Sequence, residues 1–295
     1  MPEFRGDQAD GLRRLFGGAR LRAVTFVAAG PGVGRSHVLA NLAWPLAHQG
    51  KRVLVIDENP PPDNISGIFG RASSQDMLDV VRGRVPLEAV LVDAAPGLRI
   101  LPAARAVSVL GGLSHAQHEA LLRAVAALRI VPDVILVDAA HDHPLGFSPF
   151  GLVSAETVVV LAATAPAITA AYALIKRVSQ AYGRRQFRIL VNKVGHADEA
   201  QRVFFNLERV AGQKSVASLA LAGFVPLDDA MTNASRCCRP VAETYPNSPS
   251  ALALRGLAAD LEFWPAEDAP LGLEQFMRQL LHLSQRITPS AIAAR

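Results

Sequence analysis

The chain has 295 residues, half of them hydrophobic and 19% charged, with a formal net charge of +4, which fills the core of one large α/β domain with short extensions more readily than two domains. No uninterrupted apolar stretch is long enough to span a bilayer, and Met1-Pro2-Glu3-Phe4-Arg5 lacks the apolar core of a signal peptide, so the expected location is the cytosol. The only cysteines, Cys237 and Cys238, are adjacent, which suits neither a structural disulfide nor a zinc site, and the dispersed basic residues without interleaved aromatics predict no direct nucleic-acid binding.

Taken in chain order, the first element is a short N-terminal helix over residues 7–15. Ala9, Leu12, Leu15 and Phe16 share one apolar face, leaving Gln8 and the arginines to solvent. Such a helix either packs on its own domain or docks on a partner. The run Ala23–Ala28 reads as a buried strand and Ser36–Gln49 as a helix, joined by Gly30-Pro31-Gly32-Val33-Gly34-Arg35-Ser36-His37. A glycine-rich turn in that setting points backbone N–H groups and the positive end of a helix dipole at an anion, as a phosphate-binding loop does. An arginine, however, stands where such a loop carries lysine.

Further apolar, β-rich runs follow at Arg52–Ile56, Leu98–Leu101, Val134–Val137, Thr157–Ala162, Arg188–Val191 and Ala222–Val225, mostly separated by stretches of helical composition. Few of them alternate polar with apolar residues, as expected for strands covered on both sides. The predicted fold is therefore an α/β, mostly parallel twisted sheet with helices on both faces. Functional residues of such a sheet gather at the carboxyl ends of its strands. Asp57-Glu58-Asn59 follows the second run and Asp138 the fourth, positions where acids facing a phosphate loop hold magnesium or its water. Taken singly, each would read as a helix cap.

After the linker Trp264–Pro270, residues Leu273, Phe276, Met277, Leu280, Leu283 and Ile287 recur at helical spacing. Two readings stand for this helix: it lies in a membrane interface, or it docks on the protein's own surface.

With these residues in view, the sequence resembles the MinD/ParA family of deviant Walker-type ATPases, and within it the flagellar-number regulators of the FlhG/FleN type. The family loop Lys-Gly-Gly-Val-Gly-Lys-Thr falls on Gly30 to Ser36, residues 57–70 look like its switch I, and Asp138 stands where its switch II begins. Residues 170–176 are similar to the segment after its fifth strand. Asn192, Pro226 and Asp228 resemble its adenine-contacting elements, and Asp7-Gln8-Ala9 with Leu12 and Arg13 resembles the helix that engages an FlhF-type GTPase.

The resemblance implies a P-loop domain over residues 21–264, a partner-docking helix over 1–20 and an amphipathic segment over 265–295. It further implies ATP or ADP bound by residues 30–37, with magnesium on Ser36, Asp57 and Asp138. As partners it implies the FlhF-type GTPase, a flagellar transcriptional activator and a second copy in a nucleotide-dependent homodimer. Contact with the inner face of the cytoplasmic membrane would run through Phe276, Met277, Leu280, Leu283 and Ile287.

Three departures from the family pattern bear on catalysis. Gly30 replaces the signature lysine that reaches a partner's nucleotide, Arg35 replaces the phosphate-bridging lysine as a residual phosphate clamp, and Asn59 replaces the aspartate that orients the attacking water. An amide positions water but cannot take its proton. The expectation is a nucleotide-binding regulator with weak or absent turnover. The alternative is an active dimerising ATPase in membrane-cycled positioning, partitioning or cellulose synthesis.

Overall fold

A computed structural model describes residues 21–141, 143, 147–213, 216–264 and 272–286. The N-terminal docking positions Asp7, Gln8, Ala9, Leu12 and Arg13, together with Ile287, lie outside the described residues.

One sheet of eight strands organises the chain, in the order β3-β4-β2-β5-β1-β6-β7-β8. Its strands are β1 Arg22–Ala28, β2 Val53–Asp57, β3 Val92–Ala95, β4 Leu98–Pro102, β5 Val134–Asp138, β6 Glu156–Ala162, β7 Gln186–Val194 and β8 Ser218–Pro226. All neighbours run parallel except β3, which returns antiparallel on β4. The longer helices are α1 Arg35–His48, α2 His115–Ala126, α3 Ala165–Tyr182, α4 Ala197–Gln213, α5 Asp229–Arg236, α6 Pro249–Leu261 and α7 Leu273–Arg286.

The missing polar alternation has its cause in the packing. Val53 and Val55 of β2 and Leu136 of β5 enter one apolar cluster, while Leu54, Ile56, Ile135 and Val137 enter another on the opposite face. Helices α1, α3, α4 and α6 contribute to the first cluster; α2, α7 and the short helices at 77–81 and 149–153 contribute to the second. Strand β3 has no counterpart among the predicted runs. Its four residues Val-Asp-Ala-Ala are half exposed at the sheet edge, so they carry little of the apolar signal that marks the buried strands.

Helix α7 resolves the two readings of the C-terminal segment in favour of docking. Phe276 is fully buried and stacks on Phe150 with ring centroids 6.4 Å apart, and Met277 and Leu280 are buried beside it. Leu283 packs partly buried on the same cluster. The described part of the face expected to meet a membrane, Phe276 to Leu283, is thus packed against the protein, and the exposed face carries the Glu274–Arg278 pair at 2.6 Å. Among the described residues, no helix is long and apolar enough to cross a membrane.

Strand register then assembles the site. Asp57 at the end of β2 lies beside Asp138 at the end of β5, and Asp138 pairs with Phe26 of β1, four residues before Gly30 opens the glycine loop.

Candidate nucleotide site

The loop between β1 and α1 needs its glycines. Gly30, Gly32 and Gly34 have φ of 108°, 69° and 85°, in the left-handed region that side-chain-bearing residues avoid. Around Gly30 and Gly32 the space is open, whereas a Cβ on Gly34 would lie 2.6 Å from Asn192 Nδ2. No side chain caps α1 at Gly34 and no acid occupies its first turn, so its leading N–H groups are left for an anion. The loop opens onto a cleft of about 650 Å³, lined also by His37, Asn59, Asn64, His141 and Ser235.

Arg35 borders this cleft, but its charged end is engaged within the protein. Its guanidinium is turned into the protein, 7% exposed, with Nε paired to Asp138 Oδ1 and Nη1 donating to the Ala139 carbonyl. Nη2 donates to Asn59 Oδ1 at 2.9 Å and to Ser36 Oγ at 3.2 Å. The expected phosphate clamp is therefore an internal cation, and leaving the buried Asp138 would strand an uncompensated charge.

Asn59 completes the arrangement. Its Nδ2 donates to Asp138 Oδ2 at 2.8 Å and to Asp57 Oδ1 at 3.0 Å. Asp57 also accepts from the Asn59 and Ile65 amides, at 3.0 and 2.6 Å. Magnesium requires an octahedral set of oxygens. The expected set does not fit it as arranged, since the carboxylate oxygens of Asp57 and Asp138 face N–H donors and Ser36 Oγ accepts from Arg35.

Burial drives the electrostatics. The Asp57 carboxyl is pushed up by loss of water and then by the neighbouring Asp138, and Asp138 is pushed up by burial against the opposing pull of Arg35. Glu58, which sequence reasoning did not single out, is fully enclosed and raised to about 7 by desolvation. It accepts a hydrogen bond from the Ser148 hydroxyl and another from the Ala140 amide at 2.9 Å, tying the β2 end to the segment after β5. Its signal was its place between Asp57 and Asn59, while Ser148 is ninety residues away in sequence and carried none.

The remaining predicted positions divide. His37 Nε2 meets Ser235 Oγ at 2.8 Å, and burial, then Lys193, lowers its pKa. Asn192 donates to the Val33 carbonyl at 2.8 Å, and the next residue, Lys193, donates to the Gly32 carbonyl at 2.8 Å. Both brace the loop from the end of β7. Pro226 ends β8. Asp228 caps α5 by accepting from Ala230 N at 2.9 Å and accepts from the Ser250 hydroxyl at 2.6 Å, so in this arrangement it acts as a cap. None of Asn192, Pro226 and Asp228 lines the cleft.

Residues 22–260 match the sequence family described as "Cellulose biosynthesis protein BcsQ". The chain is also 32% identical over 251 residues to "Antiactivator FleN" of Pseudomonas aeruginosa, covering 85% of this chain and 90% of that one. The chain belongs to the BcsQ/ParA–MinD family. Within that family it is 29% identical over 260 residues to "Flagellum site-determining protein YlxH" of Helicobacter pylori, covering 85% and 86% of the two chains. Its ParA–MinD fold matches the septum site-determining protein MinD from Pyrococcus horikoshii, solved with Mg-ADP, with a TM-score of 0.60 at 19% identity, covering 82% of this chain and 96% of that one.

Proposed function

We propose that this chain is a nucleotide-binding regulator of flagellar number or placement that hydrolyses ATP slowly or not at all. The flagellar assignment is supported by its similarity to the FleN and YlxH proteins, each over most of its length. Nucleotide binding is supported by the open glycine loop ahead of an uncapped helix, and by the MinD relative that holds Mg-ADP.

The single observation that carries slow turnover is the inward Arg35, held by Asp138, Ala139 and Asn59. A cation on the transferring phosphoryl group supplies about a thousandfold or more in rate. Here Arg35 faces the acids, Gly30 provides no charge for a second copy, and Asn59 supplies an amide that takes no proton from water. Phosphate release at saturating MgATP tests this; the expected rate is near background, and turnover comparable to an ordinary MinD-type ATPase refutes it. Calorimetric titration with ATP and ADP tests binding separately.

In this reading the protein works in the cytoplasm with α7 as a structural helix, and pairing of two copies rests on contacts other than a crossing lysine. Its segment 1–20, with Asp7, Gln8, Ala9, Leu12 and Arg13, docks on an FlhF-type GTPase. Co-purification of that GTPase with the full chain, and its loss on deleting residues 1–20, is the expected result; equal retention by both refutes the docking role. A flagellar transcriptional activator is a further partner to test by the same capture.

A further inference from the structure

We propose that the Arg35 guanidinium is the resident cation of this site, standing in for a divalent ion, so that a nucleoside polyphosphate binds the glycine loop with little dependence on Mg²⁺. The proposal deepens the nucleotide reading above and rests on it.

The first support is position. The guanidinium touches Ser36 Oγ and Asp138, two of the groups expected to hold magnesium, and at the same time the Ala139 carbonyl and Asn59 Oδ1. It reaches the loop helix, the end of β2 and the segment after β5 with one planar group. A lysine ammonium, a compact point charge, has no such fork.

The second support is the way Asn59 is oriented. Arg35 donates to its Oδ1, and this turns the Asn59 Nδ2 onto Asp57 and Asp138. The opposite orientation would set the amide N–H against the guanidinium and the carbonyl against two carboxylates, so the observed one alone gives both ends of the Asn59 amide complementary partners. Arginine at 35 and asparagine at 59 therefore answer one another. An aspartate at 59 would add an oxygen facing the acids and recreate a need for a cation; asparagine supplies N–H groups in its place.

The third support is charge. Asp57, Glu58 and Asp138 are all buried around this point. Uncompensated, such a cluster would be costly, and the Arg35 guanidinium lies against it. Lys193, the neighbouring cation, is directed to the Gly32 carbonyl instead.

The test uses the full chain with ADP, in Mg²⁺ and in EDTA, by calorimetry, beside thermal melts with and without Mg²⁺ in the absence of nucleotide. Wild type is expected to bind ADP within about threefold in the two buffers, while Arg35→Lys and Asn59→Asp weaken by about tenfold or more in EDTA. In the melts, Mg²⁺ alone should raise the midpoint of Asn59→Asp and leave wild type unmoved. If Arg35→Lys fails to fold, Asn59→Asp keeps both comparisons. A tenfold or greater loss of wild-type ADP affinity in EDTA overturns the proposal, as does an equal Mg²⁺-induced shift in wild type and Asn59→Asp. If wild type binds no ADP in either buffer, the nucleotide reading falls together with the phosphate half of this proposal. The nucleotide-free melts then decide whether Arg35 replaces the ion.

Discussion

Replacing Phe276 by alanine separates a core helix from a surface helix. The ring is fully buried in the cluster on the α2 face and stacks on Phe150 at a 25° interplanar angle. Truncating a buried phenylalanine costs about 3–5 kcal/mol, combining lost transfer energy with the cavity left behind. In a domain of this size each kcal/mol lowers the melting midpoint by roughly 2–4 °C, so a fall on the order of 10 °C is expected. Urea unfolding followed by circular dichroism measures it, and an unchanged denaturant slope would show that the unfolded state is unaltered. A double-mutant cycle with Phe150→Ala should return a coupling of about 1 kcal/mol. The control is Arg278→Ala, which loses only an exposed pair and should cost less than about 1 kcal/mol. A helix lying in a membrane interface would behave in reverse, with Phe276→Ala nearly neutral in urea and weaker in liposome sedimentation. That outcome would refute the docked assignment.

Gly34→Ala places a Cβ 2.6 Å from Asn192 Nδ2 at a φ of 85°, so we expect a loss of about 1–3 kcal/mol and weaker ADP binding, read by melts and calorimetry. Gly111→Ala puts a Cβ 2.8 Å from the Ser284 carbonyl and should lift α7, with faster hydrogen exchange across residues 273–286; unchanged exchange there would count against the close approach. Glu58 holds its proton more tightly folded than unfolded, so wild-type stability should fall as pH rises from 4.5 to about 7, by at most roughly 3 kcal/mol. Glu58→Gln, neutral throughout, should make that decline shallower, the remainder coming from Asp57 and Asp138, and gain on wild type across the window in urea midpoints; parallel pH profiles would contradict it.

Much of the fold is legible because strands buried on both faces write continuous apolar runs, as β1, β2, β5 and β6 do. Strand β3 is legible only through the Pro96-Gly97 turn that follows it, where Gly97 takes a φ of 76°. The glycine loop and the acids at the ends of β2 and β5 are local signals, readable one motif at a time. The direction of Arg35 is not local. It depends on Asp138, about a hundred residues further along, being brought by strand register to lie behind the loop rather than in front of it. Likewise, the amphipathic spacing of α7 fixes which face is apolar but says nothing of whether lipid or Phe150 covers it.

The C-terminal helix has a consequence for how the chain is made. Leu54, Ile56, Ile135, Val137 and Phe150 share their cluster with Leu273, Phe276, Met277 and Leu280, which are synthesised after every other described element. On the ribosome, the opposite face of the sheet has its covering helices α1, α3, α4 and α6 in hand, while this one waits with its aromatic centre uncovered. Completion of the second face is thus a late event of long sequence separation, and the nascent chain is most exposed to chaperones and to self-association in the interval before α7 emerges.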